Sequence, residues 1–182
     1  MSKTGSTGST PRPGPASPAL IVRDARPAEL AEIGDLRVAA YESGGFLSDA
    51  SHYGETLRTL GRDGSGQILA AVDDATGQIL GTVMLQLWPD AGHVVRGSDE
   101  AEVRALAVAP QARGRGAGRA LLQAVIDRAR ASGVRHLVLC TQTTMLAAQH
   151  LYAEAGFRRL PDRDFSPVPG FPLPAYGLVL SG

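Results

Sequence analysis

The stretch VAPQARGRGAGRALL, Val108 to Leu122, places Gly114, Gly116 and Gly118 at alternate positions directly ahead of an apolar helical pattern. A loop that runs from a strand into a helix exposes unpaired amide N–H groups and the positive end of the helix dipole. Residues without a Cβ let an anion approach those groups closely. Arg113 and Arg115 add positive charge at the same place, which favours a phosphate or diphosphate over a single carboxylate. The pattern lacks the G-x-x-x-x-G-K-S/T of a P-loop, and Leu121 breaks a G-x-G-x-x-G reading that starts at Gly116. A nucleotide-diphosphate ligand of another type remains, beside the plainer reading that the glycines only relieve crowding in a tight turn.

The elements around that loop set its context. ALIVRDA predicts a strand, and RPAELAEIGDLRVAAYE a helix with Leu30, Ile33, Arg37 and Tyr41 at helical spacing. FLSDASHYGETLRTL predicts a second helix, with Ser48 or Asp49 as N-cap and Gly61 closing it. Gln67 to Val72 and Gln78 to Trp88 read as a hairpin around DDATG. AEVRALAV, before the loop, is too uniformly apolar for a solvated strand face and belongs near the centre of a sheet. After the loop, Leu121, Leu122, Val125, Ile126 and Ala129 form one helix stripe ending at Gly133. A buried strand RHLVLCT, a helix TMLAAQHLYAEAGF and a closing strand at about Tyr176 to Leu180 follow. This order is an α/β layout.

The chain has 182 residues, with 18 Lys plus Arg against 18 Asp plus Glu. That balance excludes recognition of nucleic acid or an anionic membrane by bulk charge. Residues 1–18, rich in Gly, Ser, Thr and Pro, read as a flexible tail, and 19–182 as a single domain. No apolar run approaches the roughly 18 residues that span a bilayer, and the N-terminus has no signal-like apolar core. Cys140, the single cysteine, lies in the apolar run HLVLC and suits a reducing cytoplasm. His52, His93, His136 and His150 are scattered, so no metal site is expected. Arg113, Arg115, Arg119, Arg128 and Arg130 make a basic cluster, but aromatics do not interleave with it, which argues against a nucleic-acid binder.

QARGRGAG resembles the Q/R-x-x-G-x-G/A signature of the GNAT N-acetyltransferase superfamily through Gln111, Gly114 and Gly116. AEVRALAV before it, RALL after it and LYAEAGF further on fall in that family's order, and IVRDARPAEL is similar to its first strand and helix. The resemblance covers residues 20–180. It implies a mixed, mostly antiparallel α/β (α+β) sheet with helices on both faces, splayed apart between the AEVRALAV and HLVLCT strands, with acetyl-CoA in the cleft. It also implies a pyrophosphate held on the backbone of Arg113, Gly114, Arg115, Gly116, Ala117 and Gly118, and a pantetheine arm paired with Leu106, Ala107 and Val108.

Acetyl transfer from a thioester to an amine requires a neutral nucleophile, stabilisation of an oxyanion and a proton for the thiolate. An alkyl ammonium of pKa about 10 must first lose a proton, usually to a carboxylate, directly or through water. By the resemblance, Glu102 stands where the histone-acetylating branch carries its base, and Tyr152 where these enzymes hold the tyrosine that protonates the thiolate. Glu100, Asp99 and His93 are alternative bases. A backbone N–H at a bulge around Leu106 would meet the oxyanion. One position departs from the family pattern: Met145 replaces an Asn, with Thr143 or Thr144 as substitutes for the lost polar contact. Thioester aminolysis needs no Lewis acid.

The acceptor would enter from the face opposite CoA. Asp49, Asp90, Asp99 and Glu100 there suit a cationic amine, while Tyr41, Phe46, Trp88 and Phe165 supply apolar contact. A small-molecule amine, an amino-acid-like metabolite and a peptide lysine or N-terminus all stay open as acceptors. FSPVPGFPLPAYG is a candidate pairing segment for a homodimer. The rival function is a non-catalytic acyl-CoA sensor.

Overall fold

The structure is a computed structural model that describes residues 19–47, 52–92 and 94–180. The 1–18 tail, the Ser48 and Asp49 cap and His93 therefore lie outside the described residues. Seven strands form one sheet: β1 (Leu20–Asp24), β2 (Gln67–Asp73), β3 (Ile79–Leu87), β4 (Glu100–Val108), β5 (His136–Cys140), β6 (Arg158–Arg159) and β7 (Ala175–Val179). They lie in the order β1-β2-β3-β4-β5-β7-β6. Every neighbouring pair is antiparallel except β4 with β5. The apolar β4 is the middle strand, as its composition requires of a strand covered on both faces.

Four helices cover the sheet: α1 (Leu30–Ser43), α2 (Tyr53–Thr59), α3 (Ala117–Ala131) and α4 (Leu146–Glu154). The α3 stripe of Leu121, Leu122, Val125, Ile126 and Ala129 is buried on one face against Leu69, Val83, Leu85, Ala101 and Val103, and Tyr152 of α4 joins this cluster. On the other face Ile33 of α1 packs with Ile68, Ala70, Val72 and Met84. The loop after β3 completes that face by laying Val94 and Val95 over Val138 of β5. Leu121 is fully buried, and its Cδ1 occupies the room left by Gly81 of β3. Leu121→Ala is expected to destabilise the fold by about 2–5 kcal/mol in denaturant unfolding, because the gap cannot be refilled from a glycine.

The helix α2 is shorter than the sequence pattern predicts and starts at Tyr53. The two-residue β6 was not expected: it is too short to carry periodicity and forms on the free edge of β7.

Candidate active site

The central opening is built by strands that part. β4 pairs with β5 only through Glu100↔His136, Ala101↔Leu137 and Glu102↔Val138. Beyond these, β4 keeps β3 as its partner while β5 turns to β7, where Leu139 and Cys140 pair with Tyr176 and Ala175. The β5-facing edge of Val103–Val108, including Leu106, Ala107 and Val108, is thus left without a strand partner. Within this stretch Ala105 and Leu106 both oppose Val83, because Thr82 pairs with Ala107 and Met84 with Arg104. Ala105 takes φ 49°, a conformation disfavoured for a residue with a Cβ, and the bulge re-aims the backbone at the cleft.

β4 leads through a short turn, Pro110–Ala112, into the glycine loop. Gly114 and Gly116 have φ of 77° and 81°, and a Cβ on either would meet nothing within 4 Å. Crowding therefore does not explain them; left-handed backbone does, and the space above them is open. Gly118 differs: it is already inside α3, and a Cβ there would be in ordinary contact with Leu151 at 3.4 Å and Val108 at 3.6 Å. Among the described residues the amides of Gly114, Gly116, Ala117, Gly118 and Arg119 donate to no backbone acceptor. Free amides, an open approach and the start of a 15-residue helix form a place that can receive a diphosphate.

Both loop arginines are spoken for. Arg115 Nη2 is 2.8 Å from Asp73 Oδ2, and Arg113 Nη2 donates to Ser43 Oγ at 2.7 Å and to the Ala40 carbonyl at 3.2 Å. Arg113 keeps its charge without a carboxylate and ties the loop to the end of α1. Arg119, Arg128 and Arg130 are paired with Glu154, Asp24 and Asp127.

Tyr152, on α4, is 6% exposed and packs against Phe157 and Tyr176 at ring distances of 5.8 and 6.4 Å. Burial pushes its phenol above the ordinary value of 10, so it stays protonated at neutral pH. Among the described residues nothing hydrogen-bonds its hydroxyl. Tyr41, on α1 across the sheet, lies against Tyr53 at a ring distance of 6.0 Å, and burial pushes both phenols up.

Glu102 lies on β4 at its last pairing with β5 and is nearly buried. Its Oε2 accepts the Gly92 N–H at 2.8 Å, and its Oε1 is 3.8 Å from Arg104 Nε. Glu100, two residues earlier, is committed elsewhere. Burial alone would raise its pKa, but Arg163 Nη1 at 2.7 Å, the Arg96 N–H at 2.7 Å and His136 Nδ1 at 3.1 Å hold it at about 2. A carboxylate so held is a poor proton acceptor. Since its folded pKa lies below the ordinary 4.5, its stabilisation is complete above that value and is lost as pH falls toward 2. Between pH 7 and pH 3 the wild type is expected to lose about 2 kcal/mol more stability than Glu100→Gln, measured by denaturant unfolding at both pH values.

Asp99 is exposed, with its carbonyl capping the Arg135 and His136 amides, and Asp90 is exposed in the loop after β3. Trp88 is 49% exposed, and Phe165 pairs with Leu173. Thr143 and Thr144 are exposed in the turn before α4, while the Thr141 hydroxyl contacts Met145 Sδ at 3.5 Å. Three residues at this opening carry no local sequence signal of their role. Gln142 donates to the Phe46 carbonyl at 3.0 Å, Arg104 donates to Gln86 Oε1 at 2.9 Å, and Arg163 bridges Glu100 and the Val94 carbonyl. Arg37 did leave a trace, as a charge on the apolar stripe of α1. Among the described residues no group of His, Cys, Asp and Glu could hold a metal ion, and no helix is long and apolar enough to cross a membrane.

The mostly antiparallel sheet, opened beside a glycine loop that starts a helix, is the architecture of solved GNAT-family structures. The acetyltransferase (GNAT) family model matches residues 30–157, and the chain belongs to that family. A GCN5-related N-acetyltransferase from Kribbella flavida is 31% identical, with a TM-score of 0.67, over 89% of this chain and 98% of that one. A Staphylococcus aureus acetyltransferase of the GNAT family shares the fold at 18% identity, with a TM-score of 0.69 over 90% of this chain and all of the other. The structure of Salmonella typhimurium yncA, 20% identical with a TM-score of 0.64 over 90% of this chain and 95% of its own, contains its cofactor acetyl-CoA. The mycothiol acetyltransferase of Cellulomonas flavigena is 35% identical over 121 residues, which are 65% of this chain. The chain spans only about a third, 34%, of that relative's length.

Proposed function

We propose that the chain moves an acetyl group from acetyl-CoA to a primary amine by direct attack, within the 19–182 domain. The observation that carries this is the convergence on one opening of free loop amides, an unpaired β4 edge, a nearly buried carboxylate and a protonated phenol. The amides of Gly114 to Gly118 would hold the pyrophosphate, with Arg113 and Arg115 beside them, and the edge of Leu106, Ala107 and Val108 would pair with the pantetheine arm. When bound, acetyl-CoA supplies the activated acyl carbon and the thiolate leaving group.

Glu102 takes the proton that the ammonium gives up, directly or through a water, which frees the nitrogen lone pair for attack. The Leu106 N–H meets the negative charge that grows on the carbonyl oxygen as the C–N bond forms. Tyr152 then delivers its proton to the sulfur as the C–S bond breaks. Asp99 and Glu100 have less to recommend them as bases, one being exposed and the other locked by Arg163. A non-catalytic sensor draws no support from membership in an acetyltransferase family. The candidate pairing segment for a homodimer, residues 165–177, presents exposed Val168 and Phe171.

The test is thiol release from acetyl-CoA against a panel of amines, amino acids and peptides with lysine or a free N-terminus. Release with one class establishes the acceptor type. Silence in a sample that binds acetyl-CoA rejects transfer to the amines offered. Glu102→Gln is expected to lower kcat/KM for the amine about 10²-fold at neutral pH. The loss should shrink as pH approaches the amine pKa, with acetyl-CoA affinity unchanged.

A further inference from the structure

The face of the opening that would meet the acceptor carries two arginines, Arg37 on α1 and Arg104 on β4. Arg37, on α1, is 1% exposed. Its Nη1 donates to the Leu57 and Leu60 carbonyls at 3.4 and 2.8 Å, while its Nε and Nη2 have no hydrogen-bond partner among the described residues. Buried donors on a charged group are seldom left unpaired, because nothing replaces the water they gave up. Burial brings the Arg37 guanidinium down to about 10; Tyr41 and Tyr53 act against that fall, and Arg104 of β4, across which α1 packs, adds a smaller like-charge effect in the same direction as burial.

Among the described residues, Glu100 is held by Arg163, and Asp164 makes a double contact with Arg159 at 2.7 and 2.9 Å. Glu102 Oε1 stands 3.8 Å from Arg104 Nε, which is beyond hydrogen-bond length. Glu102 and Arg104 alternate on β4 and so point from the same face, each steadied by a second group, Gly92 and Gln86. A carboxylate and a guanidinium side by side are the complement of a zwitterion, whose ammonium would meet the first and whose carboxylate would meet the second. Beside them Tyr41 meets Phe46 edge-on and Tyr53 at a tilt, at ring distances of 6.3 and 6.0 Å, and Tyr53 is partly exposed.

Resting on the acetyl-transfer reading above, we infer that the acceptor is an amino acid with an apolar or aromatic side chain. Its carboxylate lies against Arg104, with the buried charge of Arg37 behind it. Its amine lies at Glu102, and its side chain at Tyr41, Phe46 and Tyr53. Arg104, 29% exposed, is the contact group; Arg37 acts by its field from within the fold. A second cationic charge on the acceptor would be repelled at this place, which disfavours polyamines.

The test compares kcat/KM for L-phenylalanine and 2-phenylethylamine on the wild type and on Arg104→Gln. The ratio of the two substrates on one protein cancels any disturbance of Glu102, and the ratio between proteins cancels the different amine pKa values. The expected result is a fall of at least tenfold in the phenylalanine preference, partly restored by Arg104→Lys, with KM for acetyl-CoA within twofold. Calorimetry of N-acetyl-L-phenylalanine and N-acetyl-2-phenylethylamine in the presence of CoA reads the same subsite without turnover. The acid should bind at least tenfold more tightly, and Arg104→Gln should remove that advantage. Acetylation of both amines with an unchanged ratio overturns the inference and leaves acetyl transfer standing. Preferential binding of the acid without turnover of either amine supports the subsite and overturns the transfer reading. Equal binding of the two products overturns the inference.

Discussion

Gly116→Gln is expected to abolish measurable acetyl-CoA binding in calorimetry while leaving a cooperatively folded protein. Two effects separate at this residue. Its φ of 81° makes any side chain strained, at about 1–2 kcal/mol, which lowers the melting temperature of a domain this size by a few degrees. The space that its Cβ would enter is empty of protein, so the fold itself meets no clash. That same space is where an anion must come to reach the free amides of Gly114, Gly116, Ala117, Gly118 and Arg119, and a glutamine side chain fills it.

The control lies two residues on. Gly118→Ala adds a methyl group at ordinary contact distance from Leu151 and Val108 on helical backbone, and should leave affinity within a few fold. Arg115→Ala should also matter little, because that guanidinium already belongs to Asp73. Unchanged affinity in Gly116→Gln would remove the loop from the donor site.

The glycine loop also indicates which features a sequence can carry. Gly114 and Gly116 stand out because their requirement is local: backbone sign is decided within the turn. The α3 stripe and the apolar β4 are legible for the same reason, since burial on one face or both leaves a period of its own. The family order of four motifs extends that reading to the whole sheet, including its splay between β4 and β5.

Partners far apart in the chain leave no such period. Arg115 finds Asp73 across 42 positions, and Arg163 finds Glu100 across 63. The second pairing takes Glu100 out of contention as a base, which spacing alone could not reveal, because Glu100 and Glu102 point from the same face of one strand. Asp99 faces solvent just before β4, while Glu100 is covered by Arg163, a difference that spacing does not carry. Arg37 is the instructive middle case. A charge at helical spacing with Leu30, Ile33 and Tyr41 signals that something is buried with it, but its orphaned nitrogens become visible only when α2 and β4 are in place.

Tyr152→Phe is expected to lower kcat about 10³-fold, with acetyl-CoA affinity within about threefold and the melting temperature nearly unchanged. The ring is what packs: Phe157 and Tyr176 contact its faces and edges, and a phenylalanine keeps those contacts. Only the hydroxyl is lost, and nothing among the described residues depends on it for a hydrogen bond, so the stability term is small. Catalysis loses the proton that a departing thiolate would take. Because burial raises the phenol above 10, this acid remains loaded through neutral and mildly alkaline pH, and the rate should show no alkaline fall from Tyr152 below about pH 10. The acidic limb, set by the amine and its base, should survive in the variant at a lower plateau. A variant with wild-type kcat would return Tyr152 to a purely packing role and leave solvent as the proton source. A matching loss in acetyl-CoA affinity would place the hydroxyl in binding instead. Neither result would disturb the family assignment, which rests on the chain from residue 30 to 157 rather than on this side chain.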